Sequence, residues 1–195
     1  GVDKKNVAVG NGSDEILAFA FHAFGEKGFV CPEITYGFYP VFADFFGIDL
    51  ETVPMEKDLS IDIEKYYSKN KNIVIANPNA QTGCYLPLEE IEKLVSSNTD
   101  RLVIVDEAYI DFGGESSASL INKYDNLLVV QTFSKSRNLA GGRIGFALGC
   151  ETLIADINTM KFSFNPYKII SFISNESLIN FLPSATLETQ PFASI

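Results

Sequence analysis

Short apolar runs alternate with stretches of helical periodicity along this chain. The runs GFVCPE (28–33), IDLETVP (48–54), NIVIAN (72–77), RLVIVDEAY (101–109), NLLVVQTF (126–133) and RIGFALG (143–149) are rich in β-branched and aromatic residues, and they predict strands. GFVCPE reads as the first of them. Helical spacing predicts helices over residues 13–24, 36–46, 61–68, 88–97 and 151–160. Several of the strands are continuous apolar runs, which implies burial on both faces. Strands alternating with helices predict a three-layer α/β domain around a mostly parallel sheet. Ligands on such sheets bind beyond the carboxyl ends of the strands, so the residues that follow each run carry the functional information.

Composition narrows the class. The 195 residues suit one sizeable domain, and no linker or internal repeat divides them. With 46% hydrophobic residues and a mean hydropathy of +0.10, a packed core is expected and disorder is not. A net charge of −10 argues against nucleic-acid binding through a basic face, and no apolar run approaches membrane-spanning length. Cys31, Cys84 and Cys150 lack metal-ligand spacing and read as small packing residues in a reducing cytoplasm. The chain starts at Gly1 and closes on the Ser/Thr-rich LPSATLETQPFASI, so both ends read as cut.

Asp106 ends a run of buried aliphatics, where an ionised carboxylate needs a partner. Alone it reads equally as a turn or helix N-cap residue. The Asp106-Glu107 pair also suggests a metal site of the nucleotide-hydrolase kind, but the phosphate loop that goes with it is absent. VGNGSDEI (9–16) opens a helix with Ser13, Asp14 and Glu15 after two glycines, and such an N-terminus can hold an anion or can simply be capped. Charge repulsion should turn Asp14 away from a bound phosphate. NPNAQTG (77–83) is a turn, or a turn that offers an asparagine to a polar ligand. Tyr36, Phe38 and Tyr39 follow the first predicted strand; Tyr36 could stack on a planar ring, while Phe38 and Tyr39 read as helix packing.

TFSKSRNLAGGRIGF (132–146) concentrates charge, hydroxyls and glycine just past a buried run. Thr132, Ser134 and Arg143 form a plausible phosphate cradle, and Gly141 and Gly142 allow close backbone approach. Lys135 stands among them. One ligand satisfies this set together with Asp106 and Tyr109: a phosphate, a protonated ring nitrogen, a phenolic oxygen and an aldehyde describe pyridoxal 5′-phosphate. His22, the single histidine, sits in LAFAFHAF and reads as a packing residue.

Six segments in order, GNGSDE, ITYGFY, NPNAQTG, VDEAYIDF, TFSKSRNLAGGRIGF and KFSFNPY, resemble the fold-type I pyridoxal-phosphate aminotransferases, and within them the histidinol-phosphate aminotransferase family. The resemblance implies that Lys135 attaches the cofactor and later moves the substrate proton. It implies that Asp106 pairs with the ring nitrogen, Tyr109 bonds the phenolic oxygen and Tyr36 stacks on the ring. The phosphate falls to Thr132, Ser134, Arg143 and the backbone around Gly12 and Ser13. The parent enzyme is then a homodimer that exchanges an amino group between a small-molecule donor (histidinol phosphate or glutamate) and a 2-oxo acid. Asn165 and Tyr167 resemble a segment near the substrate pocket.

Two departures accompany the resemblance. Ala80 stands where an asparagine normally bonds the phenolic oxygen, so Asn79 substitutes for it or Tyr109 acts alone. Residues 1–168 read as the cofactor-binding large domain and 169–195 as an atypical tail, without the N-terminal segment and the smaller C-terminal domain of the family. Those parts carry a tyrosine for the partner's phosphate site and the arginine that grips the substrate carboxylate. The alternatives are another branch of the superfamily, such as an aromatic aminotransferase or a phosphothreonine-type decarboxylase, and a non-catalytic truncated domain.

Overall fold

The computed structural model describes residues 2–161; the expected tail and the Asn165–Tyr167 segment lie outside the described residues. Seven strands form one sheet: β1 (Val7–Asn11), β2 (Phe29–Pro32), β3 (Leu50–Val53), β4 (Asn72–Ala76), β5 (Val103–Asp106), β6 (Leu127–Thr132) and β7 (Ile144–Gly149). Their order is β1-β7-β6-β5-β4-β2-β3. The pairings from β3 through β2, β4 and β5 to β6 are parallel, while β7 runs antiparallel to both β6 and β1. The mostly parallel α/β sheet is therefore as expected, with one addition. The first strand is Val7–Asn11, ahead of GFVCPE. Five residues containing a glycine carry little strand signal, and this segment becomes a strand by pairing with β7.

Helices α1 (Ser13–Phe24), α2 (Phe38–Phe46) and α5 (Glu151–Met160) cover one face, and α3 (Glu64–Tyr67) and α4 (Leu88–Ser96) the other. The strands alternate between two cores: Ile73, Ile75, Val103 and Val105 pack with Tyr66, Ile91 and Leu94, while Val74, Ile104, Leu128 and Val130 pack with Ile16, Leu17, Phe21, Tyr39 and Ile154. Burial on both faces explains the unbroken apolar runs. The predicted helix at 61–68 shrinks to the single turn Glu64–Tyr67, with Ile63 and Tyr66 the buried residues of the segment. His22 is exposed, with its ring stacked 4.7 Å from that of Phe46 on the outside of α1. Among the described residues no helix is long and apolar enough to cross a membrane.

Candidate active site

Strands β4, β5 and β6 end side by side, and Ala76, Asp106 and Thr132 at their carboxyl ends line one cavity of about 150 Å³. A single water needs roughly a tenth of that space, so the cavity admits a small organic molecule. The N-terminal turn of α1 forms a second wall through Gly12, Ser13 and Asp14. Two glycines bring it there. A Cβ on Gly145 of β7 would lie 2.1 Å from the Gly12 carbonyl carbon and 2.2 Å from the Ser13 nitrogen, so the helix start rests directly on strand backbone. Gly12 itself has φ +83° and faces the Arg143 guanidinium. Glu15 reaches back to accept hydrogen bonds from the Asn11 backbone N–H at 2.7 Å and its side-chain amide at 2.9 Å, which fastens this turn.

Asp106 is 5% exposed. Its Oδ2 accepts a hydrogen bond from the Tyr39 hydroxyl at 2.8 Å, and its Oδ1 accepts one from the Ala108 backbone N–H at 3.2 Å. Its carboxyl is raised from 3.8 to about 6: burial is the main cause, the two hydrogen bonds oppose it, and the nearby charges of Asp14 and Glu107 add to it. Glu107 turns the other way. It is buried among Ser116, Ser117 and Gln131, whose donors surround it at 2.5 to 2.8 Å, and burial raises its pKa. The two neighbouring carboxylates thus serve different sides of the strand end.

Lys135 and Tyr109 close the cavity, with the Lys135 ammonium 5.3 Å from the Tyr109 ring centroid. Thr132, Ser134 and Arg143 border it beside α1. The Ser134 backbone N–H donates to the Thr132 hydroxyl at 3.1 Å. Among the described residues the Ser134 hydroxyl is buried without a partner, which is costly unless a ligand supplies one. Tyr36 also lines the cavity and donates its hydroxyl to Asp14 at 2.8 Å.

Nine of the expected site residues, Gly12, Ser13, Tyr36, Asp106, Tyr109, Thr132, Ser134, Lys135 and Arg143, thus meet at one cavity. Asn79 does not. Its amide donates to the Ile34 carbonyl at 2.7 Å and its oxygen accepts from the Gln81 N–H at 3.1 Å, so it braces two loops; Ala80 and Gln81 face the cavity instead. Asp14 stands on the cavity wall, where the Tyr36 hydroxyl and Arg143, 3.8 Å away, offset its charge. Tyr39, read from the sequence as helix packing, is both buried and bonded to Asp106. An aromatic residue beside a strand end is a signal for such a contact, but its partner is 67 residues away.

The family model for aminotransferase class I and II matches residues 1–182. The chain belongs to that family. This aminotransferase-family chain is 47% identical over 191 residues to a histidinol-phosphate aminotransferase of Acinetobacter baumannii, covering 97% of itself and 53% of that protein. It is 52% identical over 170 residues to one from Clostridium botulinum, covering 86% and 48%. A solved structure of histidinol-phosphate aminotransferase from Sinorhizobium meliloti in complex with pyridoxal-5′-phosphate superposes with a TM-score of 0.74 at 25% identity, over 80% of this chain and 46% of that one. The chain spans about half the length of the curated relatives it matches.

Proposed function

We propose that this aminotransferase-family chain binds pyridoxal 5′-phosphate in the cavity at the ends of β4, β5 and β6, and that it forms the cofactor half of a histidinol-phosphate aminotransferase. One observation carries the reading: a buried carboxylate, a lysine and an unpartnered buried hydroxyl converge on a single cavity beside a helix N-terminus. The donor set fits the cofactor group by group. Ser134, Thr132, Arg143 and the free backbone N–H groups of the first turn of α1 would hold its phosphate. Asp106, kept from water, would pair with its ring nitrogen, and Tyr109 would donate to its phenolic oxygen. Tyr36 would lie against the ring, while Gln81 rather than Asn79 borders the place left by Ala80.

Bound there, pyridoxal phosphate supplies an electron sink next to the carbon that gives up or gains the amino group. The protein's own part is positional and protonic. The Lys135 amine would hold the cofactor through its aldehyde and would move a proton at the reacting carbon. Asp106, ionised opposite a cation, would keep the ring nitrogen protonated. Identities of 47% and 52% to named histidinol-phosphate aminotransferases favour histidinol phosphate with 2-oxoglutarate as the substrate pair. We read the parent enzyme as a homodimer of the cytoplasm, a compartment that suits the free thiols Cys31, Cys84 and Cys150.

Borohydride reduction after incubation with pyridoxal phosphate, followed by peptide mass mapping, tests the proposal. A pyridoxyl adduct on Lys135 that disappears in Lys135→Ala is the expected result. Adducts scattered over surface lysines, with none at Lys135, refute it.

A further inference from the structure

Lys135 and Tyr109 leave the ends of different strands, each three residues beyond its strand's last residue. Among the described residues neither side chain has a hydrogen bond of its own to fix it, yet the amine sits over the phenol ring. Two residues further along each segment lies a bond between the segments. The Arg137 Nε stands 2.8 Å from Asp111 Oδ2, and its Nη2 donates to Asp111 Oδ1 at 3.1 Å, a two-pronged contact. The hydroxyl of Ser136 donates to the same carboxylate at 2.5 Å. The Arg137 side chain is 16% exposed and that of Asp111 25%, although Asp111 as a residue lies at the surface. The Arg137 guanidinium also lies 5.0 Å from the Phe133 ring and 5.6 Å from that of Phe146. A flexible surface ion pair has none of these constraints.

The clasp is anchored from behind. Arg137 Nη2 donates to Gln131 Oε1 at 2.9 Å, and Gln131 Nε2 donates to the buried Glu107 carboxylate at 2.8 Å. Glu107 follows Asp106 directly, so the chain of contacts returns to the floor of the cavity.

We infer that Arg137 and Asp111 are positioning residues whose two-pronged pair holds the Lys135 amine against the Tyr109 phenol. The inference rests on the cofactor reading for those two residues, but its geometry is measurable without cofactor. The amine that attaches the aldehyde and the phenol that meets the neighbouring ring oxygen must keep one separation, and their strands alone do not impose it. The clasp does so by tying the two loops just past the working side chains.

The test uses the whole chain with ¹³C-methylated lysines, a modification that keeps the charge. In the cofactor-free protein the Lys135 methyl resonance, assigned with Lys135→Arg, lies upfield under the Tyr109 ring current and moves back in Tyr109→Leu. In Asp111→Asn and in Arg137→Met that upfield shift collapses. In unmethylated samples loaded with pyridoxal phosphate, the absorbance titration of the bound cofactor moves by about half a pH unit or more, a change of about threefold in the protonation ratio. Arg137→Met leaves a hole between two rings and can fail to fold; Asp111→Asn keeps the shape of its side chain and then decides the matter. Folded variants that lose only thermal stability, with ring-current shift and titration midpoint unchanged, overturn the inference, as does a wild-type protein without the upfield shift. Wild-type protein with that shift but without an adduct at Lys135 refutes the cofactor reading and leaves the clasp standing.

Discussion

Replacing Asp106 by asparagine should remove a loss of stability that the cofactor-free protein undergoes as pH rises. The carboxylate is buried at the end of β5, and burial outweighs the hydrogen bonds from Tyr39 and Ala108, which leaves its pKa at about 6 against 3.8 for a free side chain. A folded state that holds this proton more tightly than the unfolded chain has its full share of stability below the unfolded pKa, loses it as pH rises through about 6, and changes no further above that. The displacement of roughly two pH units corresponds to about 3 kcal/mol at neutral pH. Asparagine carries no charge at any of these pH values. Its Oδ1 can accept the Ala108 N–H and its Nδ2 can donate to the Tyr39 oxygen, which takes away the acceptor of the buried Tyr39 O–H and sets a pH-independent cost of about 1–3 kcal/mol against the gain. Urea denaturation of wild type and Asp106→Asn should therefore shift relative to each other with pH, the variant gaining up to about 3 kcal/mol on wild type between pH ~4 and pH ~8. In a thermal scan that is a rise of about 6–12 °C. The same variant should lose pyridoxal phosphate binding, because the buried anion that opposes the ring nitrogen is gone. A variant whose stability relative to wild type does not rise between pH ~4 and pH ~8 refutes the reasoning.

Three further outcomes are expected. Tyr39→Phe removes the hydroxyl that holds the Asp106 carboxylate, so carboxyl ¹³C titration should place Asp106 above its wild-type midpoint, and stability at neutral pH should fall by about 1.5–3 kcal/mol. Gly145→Ala drives a Cβ into the Gly12–Ser13 backbone, whereas nothing lies within 4 Å of a Cβ on Gly141. The first should cost about 2–4 kcal/mol and weaken pyridoxal phosphate binding about tenfold or more, and the second should stay within about 0.5 kcal/mol, both read by denaturation and cofactor titration. Phe21→Ala, in the core between α1 and β2 with its ring stacked 4.3 Å from Phe29, should cost about 3–5 kcal/mol yet leave the Lys135 adduct in the protein that remains folded.

Most of the architecture was legible along the chain. The helix at Ser13–Phe24 was marked at its start by glycine and acidic residues and at its end by Gly25, signals that act within one turn. The strands Asn72–Ala76, Val103–Asp106 and Leu127–Thr132 announced themselves as continuous apolar runs because both of their faces are covered. β1 did not, since its short run containing Gly10 gains its conformation from hydrogen bonds to β7, more than 130 residues away. Nine of the expected residues meet at one cavity because they stand at or near the ends of strands or at the start of a helix. Asn79 misled because sequence neighbours in a turn send their side chains in different directions. Its amide satisfies the Ile34 carbonyl, while Ala80 and Gln81 meet the cavity.

What the sequence determined by itself was the set of elements and the chemistry available at their ends: capping, periodicity and turn preference act over a few residues, and parallel strands bring their carboxyl ends together. The tertiary structure alone decided which of those groups engage one another. Tyr39 was an aromatic helix residue until folding set its hydroxyl against Asp106, 67 positions on, and Arg137 was one more basic residue until it closed on Asp111. Pairings of this kind join side chains from elements far apart in the chain, and only folding brings them within bonding distance.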